Sequence, residues 1–378
     1  AMIEKINAYL SGEHLELLKK YSLVSLLHDF APYLNNEFVQ ASARFQQMDD
    51  ADPDMTAWDS VHTLAEFEIG DMYAKRFFSP EKKVAAEKMA QDILAGYKSH
   101  IDGLDWLSEE SKSEAKKKID SMSVNIGYPE EYPSFVIDTV KSLQEGGTFI
   151  ENALAISKAK AADEVEKSTQ PVDRQTWDLA PQTVNAFYEP TANQIVFTAA
   201  MLQEPFFNEK ASYASNLGAI GAVIAHEIAH AFDDVGSLFD DQGNYRDWWT
   251  AEDRESFAER SKKFIEYFGS IEAVPGAKVD GELTLGENIA DTSGISVISS
   301  MLGDDKEALR EMFTSYAASW ASVITDEEIE LQLESDEHAP AKVRVNGVLS
   351  TTDAFYQAFD VNPGDQMYLE PEKRVKMF

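Results

Sequence analysis

The run Gly221-Ala-Val-Ile-Ala-His226-Glu227-Ile-Ala-His230 restricts the folds open to this chain more than any other stretch. Apolar residues surround its ionisable groups on nearly every side: Val223, Ile224, Ala225, Ile228, Ala229 and then Phe232. A helix that is apolar all round is normally buried, so the architecture must enclose a helix with three ionisable side chains and give those side chains partners. Histidines four positions apart stand one turn apart on one face, where both imidazoles can reach a single tetrahedral Zn²⁺. Glu227 lies just off that face, placed to polarise water at the metal and collect its proton.

Such a site needs a third ligand. Glu287, 57 positions past His230, offers a carboxylate, and Asp291 lies one helical turn further along. That spacing suits a ligand followed by a carboxylate that accepts the spare N–H of a ligating histidine. The competing reading is local: Thr284-x-x-Glu287 is also a capping box, with Glu287 closing a helix start. The upstream histidines tilt the choice toward the ligand.

Composition narrows the partners. The 33 lysines and arginines face 67 acidic residues, a formal net charge of −34. Such an excess repels phosphate backbones and anionic lipid, which excludes nucleic acid and membrane surfaces as main partners. With no cysteine, a metal must be held by His, Asp or Glu. No apolar run approaches a membrane span.

Residues 1 to about 125 read as successive amphipathic helices. Ser79-Pro80 opens the clearest, and Ser108-Glu-Glu opens another that runs to Ile119, with lysines toward its carboxyl end as the helix dipole favours. Leu15 to Met48 and Met55 to Phe78 show the same periodicity. His14, His28, His62 and His100 have no partner at ligand spacing and read as surface or packing residues. Two prolines and a glycine in Ile126 to Pro133 mark a boundary, giving a helical domain over 1–131 and a second domain over 132–378. Beyond it, Thr183–Tyr188 and Gln194–Thr198 read as strands joined by a turn. Asp240, Asp241 and Asn244 lack the spacing of a calcium loop. Asp304 to Leu333, with Trp320, reads as helix. Asn346-Gly347 predicts a hairpin over Ala341–Thr351.

Five separated phrases carry a resemblance: Val184-Asn-Ala-Phe-Tyr188, Asn193-Gln-Ile-Val-Phe197, His226 to Asp233, Leu285-Gly-Glu-Asn-Ile-Ala-Asp291, and the stretch around His338 and Arg344. They resemble the neprilysin and endothelin-converting-enzyme family of zinc peptidases, and most of all its bacterial branch, the oligoendopeptidases O. Ala229 and Ala231 stand where that family usually has threonine and glycine, both off the ligand face.

The resemblance implies a mainly α fold with a small β-sheet (α+β), a zincin-type, thermolysin-like catalytic domain and a helical lid. It implies one Zn²⁺ per chain on His226, His230 and Glu287, with Glu227 as general base and Asp291 behind the metal. His338 is implied as a donor to the oxyanion; independently of the resemblance, Asp336 two residues before it suits keeping that ring protonated or oriented, because a nearby carboxylate favours imidazolium. Asn185 and Ala186 would bind the substrate backbone, Arg344 would hold a substrate carbonyl, and Met201, Phe206, Val223 and Trp320 would form an apolar pocket. The expected activity is cleavage of oligopeptides on the amino side of bulky hydrophobic residues, in a bacterial cytoplasm, with an extracellular location left open. Members of the resembled family are longer on the amino-terminal side, so a missing amino-terminal portion of the same protein is an expected partner. The alternative reading is a zinc- and peptide-binding fragment, catalytically silent without that portion.

Overall fold

The structure, a computed structural model, describes residues 2–10, 12–46, 52–135 and 139–378; of the helical stretch expected from Leu15 to Met48, the last helix ends at Phe45, and Met48 lies outside the described residues. The chain forms two compact units, one from 1–72 with 131–171 and the other from 73–130 with 172–378. This division differs from 1–131 and 132–378, because residues 73–130 pack with the later part of the chain. No helix among the described residues is long and apolar enough to cross a membrane.

The first unit is helical, with Leu15–Phe30, Asn36–Phe45, Pro53–Leu64 and Phe149–Lys167 as its main elements. Its small core gathers Leu64, Ala153 and Ile156 with Phe30, Tyr33 and Phe135. The second unit holds the large core. Its first long helix, Pro80–Asp102, starts as the sequence predicts, with Ser79 accepting the Lys82 N–H and proline at the first turn. The next, Glu109–Asp120, is capped by Ser108 in the same way.

Three strands follow: β1 (Ser123–Gly127), β2 (Ala186–Glu189) and β3 (Gln194–Thr198), in the order β1-β3-β2. β1 runs parallel to β3 and β2 antiparallel. The hairpin expected around residues 183–198 is present, whereas β1, with only Val124 and Ile126 as an apolar alternation, carries too weak a pattern to be read as a strand. The β2–β3 turn closes through Asn193 at φ 45°, whose side chain accepts the Tyr188 hydroxyl at 3.0 Å.

The His helix, Ile220–Ala229, is buried on almost every side. Ile224, Ile228 and Phe232 are fully enclosed, and each such side chain stabilises the fold by about 1.5–3 kcal/mol. Pro80–Asp102 and the Glu helix, Leu285–Leu302, pack on it, as does the short helix just before it, Tyr213–Gly218. Tyr97 of the first donates its hydroxyl to the Ala225 carbonyl at 2.5 Å. Gly294 of the Glu helix lies against the His helix backbone so closely that a Cβ there would meet His226 N at 3.0 Å and Ala225 C at 3.1 Å. This close crossing brings Glu287, about two turns upstream, beside the imidazoles.

Two expectations are corrected. Ala341–Thr351 is an α-helix, not a hairpin. Val343, Arg344, Val345, Gly347, Val348, Leu349 and Thr351 are all buried, so the polar face narrows to a single stripe of Lys342, Asn346 and Ser350, and the Gly347 carbonyl takes the Tyr267 hydroxyl at 2.9 Å. The stretch around Trp320 is two helices, Lys306–Ser319 and Asp326–Ser335. Trp320 caps the first, and Thr325 with Glu328 forms a capping box that starts the second.

Candidate metal centre and active site

The His helix and the Glu helix bring three potential ligands together. One donor atom each from His226, His230 and Glu287 lies within 4.8 Å of the others. His230 is the C-cap of its helix and keeps helical φ/ψ, and its N–H still reaches the His226 carbonyl; the two rings therefore retain their one-turn spacing. Their Nε2 atoms are 2.9 Å apart, and the Glu287 carboxylate lies 3.2 Å from that of His226 and 3.4 Å from that of His230.

The opposite ring edges decide what these nitrogens can do. His226 Nδ1 donates to Asp291 at 2.8 Å and His230 Nδ1 donates to Asp233 at 2.7 Å. With both Nδ1 atoms committed as donors, each neutral ring turns an Nε2 lone pair inward. Two lone pairs and a carboxylate around one point call for a cation, and Glu287 Oε2 is buried without a hydrogen-bond partner. The donor set, two imidazoles and a carboxylate with the fourth direction open, fits zinc in a catalytic rather than a structural site.

A proton competes with a cation for this centre. Burial disfavours an imidazolium at His226, but the Glu287 and Asp291 carboxylates outweigh it and lift the ring to about 10. Burial also disfavours charge on Glu287, yet His226, His230 and His338 hold that carboxyl at about 2. These residues therefore draw positive charge to their centre. Glu227, also buried, is shifted upward by desolvation against the pull of His226 and His230, the direction a general base working near neutral pH requires. Thr284 makes no side-chain cap bond and donates to the Asp280 carbonyl instead, so the local capping-box alternative for Glu287 is not what the chain adopts.

His338 stands at the same centre. Asp336 accepts its Nδ1 at 2.8 Å, which turns Nε2 to within 3.2 Å of Glu287. Arg344 reaches in from the helix that sequence reading made a hairpin, and its Nε and Nη2 fork onto Asp291 at 2.7 and 2.8 Å. Its guanidinium also lies 4.2 Å from the Trp320 ring centroid. Arg344, Asp291 and His226 thus form one hydrogen-bonded chain rather than separate functional groups.

Two cavities open on these residues. One of about 430 Å³ is lined by Asn185, Ala186, Glu227, Glu287 and His338. The other, about 260 Å³, is lined by Met201, Phe206, Val223, Trp320 and Arg344, again with Asn185 and Ala186. β2, the edge strand, begins at Ala186 between them. Every sequence-predicted site residue is therefore at or beside one centre. His14, His28, His62 and His100 are absent from the cluster, and Asp240 is taken up by Arg246 and by backbone N–H groups of its own turn.

Sequence reasoning missed Asp233. It supports His230 as Asp291 supports His226, and its signal was an acid three residues past the second histidine, where the helix ends.

Asp291→Asn tests the chain behind His226. Because it weakens the acceptor of the ring N–H and strands the buried Arg344, zinc affinity is expected to fall about 10- to 100-fold, with a loss of stability of roughly 3–5 kcal/mol. Chelator competition and thermal unfolding would measure the two effects.

The family model for peptidase family M13 matches residues 185–375, and an amino-terminal model of the same family matches residues 1–129. The chain belongs to peptidase family M13. Among M13 relatives it is 35% identical over 370 residues to the neutral endopeptidase of Lactobacillus helveticus, covering 96% of this chain and 56% of that protein. It is 31% identical to endothelin-converting enzyme 1 of Bos taurus, over 97% of this chain and 51% of that one. The chain thus spans about half the length of these M13 proteins. Among solved structures it matches PepO from Lactobacillus rhamnosis at a TM-score of 0.88 and 33% identity, covering 98% of this chain and 60% of the other. It also matches the Mycobacterium tuberculosis zinc metalloprotease Zmp1 at 0.81 and 32% identity, covering 93% and 56%. The zincin-type, mainly helical M13 fold is therefore that of this chain, and its His226, His230 and Glu287 cluster fits the zinc of the family.

Proposed function

We propose that this chain carries the catalytic centre of a zinc-dependent endopeptidase that cleaves oligopeptides on the amino side of bulky hydrophobic residues. The observation that carries the reading is the convergence of His226, His230 and Glu287 donors within 4.8 Å, with Glu227 lining both adjoining cavities. Zinc bound there supplies a Lewis acid that makes water nucleophilic near neutral pH and offsets charge developing on the carbonyl oxygen.

The protein's own groups do the rest. Glu227 takes the proton of the attacking water and returns it to the departing amine. Asp291 and Asp233 hold the two imidazoles in the tautomer that leaves Nε2 free for metal. His338, aligned by Asp336, donates a hydrogen bond to the oxyanion. The peptide lies beside β2, where Asn185 and Ala186 receive its backbone as an added strand. Arg344, anchored on Asp291, faces a carbonyl of the substrate. Met201, Phe206, Val223 and Trp320 receive the side chain that follows the scissile bond.

Against the catalytically silent alternative stands the placement of the base, both imidazoles and the carboxylate within a single compact unit.

A panel of quenched fluorescent peptides, identical except for Leu, Phe or Asp after the scissile bond, tests the specificity. Leu and Phe are expected to give a kcat/KM roughly 100-fold above that of Asp, because a carboxylate in the apolar cavity is left unpaired. Equal cleavage of Asp and Leu would remove the pocket assignment, and absence of any cleavage by the zinc-loaded chain would remove the activity.

A further inference from the structure

Lys118 is buried, with 1% of its surface exposed, although the lysines before it, Lys116 and Lys117, reach out to Asp102 and Asp241. Its Nζ donates to three backbone carbonyls: Ala231 at 2.8 Å, Gly236 at 2.7 Å and Phe239 at 2.7 Å. An ammonium has three donors and no acceptor, so this cage satisfies it completely. All three carbonyls belong to the loop that leaves the His helix just after His230. That loop is tightly curled, since a Cβ on Gly236 would fall 1.7 Å from the His230 carbonyl oxygen.

We propose that Lys118 is a positioning residue for the metal centre, acting on His230 through Gly236 and Asp233. The links are continuous. Lys118 Nζ holds the Gly236 carbonyl, the Gly236 N–H donates to Asp233 Oδ1 at 2.6 Å, and Asp233 Oδ2 accepts His230 Nδ1 at 2.7 Å. Val235 N–H adds a second donor to Asp233 Oδ1 at 2.9 Å. Held at both oxygens, the Asp233 carboxylate fixes the His230 ring plane and tautomer; released from Lys118, the loop loses its only three-point tether to the Glu109–Asp120 helix among the described residues. The backbone of Lys118 has a second task that its side chain does not share: its carbonyl accepts Asn193 Nδ2 at 2.8 Å and so ties the β2–β3 turn to the same helix end. Replacing the side chain leaves that tie in place.

The test measures zinc dissociation constants by competition with a fluorescent chelator. Lys118→Met is expected to weaken zinc about 10- to 100-fold, as loss of a group behind a ligand does, and Asp233→Asn to do the same. Because both act along one path, the double variant should bind zinc within about threefold of the weaker single variant rather than showing the product of the two losses. The structural control is Lys112→Met: this lysine of the same helix is also buried but donates to Asp102 O and Glu109. It should lower the thermal midpoint of the metal-free protein and leave zinc affinity unchanged. Should circular dichroism show Lys118→Met unfolded, Lys118→Gln, which keeps two N–H donors, carries the same comparison. Zinc affinity within twofold of the parent in the Lys118 variants, or fully multiplicative losses with Asp233→Asn, overturns the proposal. The inference rests on His230 being a ligand; failure of that reading appears as absent zinc binding in the unaltered protein, whereas failure of this one appears as normal binding in the Lys118 variants.

Discussion

Glu227→Gln is expected to lower kcat for peptide cleavage by about 10²- to 10⁴-fold, the range that a positioned acid–base group contributes, while the protein still binds one zinc. Glutamine fills the same buried space, since Glu227 is 6% exposed, but it cannot accept a proton at catalytic pH. Burial already raises the Glu227 carboxyl, against the opposing pull of His226 and His230, so what the substitution removes is a base rather than a fixed charge essential to the fold. The metal count should stay at one because Glu227 is not among the three converging donors. Turnover above a tenth of the parent value, with zinc retained, would exclude Glu227 as the base.

Glu287→Ala should act at the other end of the chemistry, by removing the metal. Its carboxylate spans both imidazoles at 3.2 and 3.4 Å, and without it two neutral rings are left to hold the ion. Activity is expected to vanish at zinc concentrations that saturate the parent. A ligand that binds only the folded state stabilises it by about 4 kcal/mol at a thousandfold excess over its Kd. The parent should therefore melt at a clearly higher temperature when zinc is added, and the variant should show almost no shift at the same concentration. Calorimetric scans with and without zinc distinguish this from a general loss of stability, because each protein is compared with its own metal-free midpoint and only the zinc-induced shift is read. A normal zinc-induced shift in the variant would mean that the third ligand lies elsewhere.

The parts of this centre that were legible in sequence are those governed by helix geometry. His226 and His230 share a face because they are four residues apart, and Asp291 follows Glu287 by one turn, so spacing alone places each pair. His338 and Arg344 were legible through resemblance, since nothing local distinguishes a histidine among acids in a loop. The rest depended on tertiary contacts that leave no periodic trace. Ala341–Thr351 is buried on most of its circumference, which narrows its polar face to the single stripe of Lys342, Asn346 and Ser350, and its Asn-Gly pair then imitates a turn. Asp233 looked like one of two ordinary acids at a helix exit. Lys118 stood third in a run of lysines that the helix dipole explains equally well, and only the partners brought to it from residues 231–239 set it apart.

The tethers from Tyr97 to the His helix and from Lys118 to the loop beyond it both originate before residue 131. The stretch that carries the ligands is accordingly not self-sufficient. A protein cut at the seam between the two matched family regions would retain every metal-binding side chain and lose the braces that aim them, so any dissection of this chain into autonomous modules has to keep residues 73–130 with the ligand-bearing half.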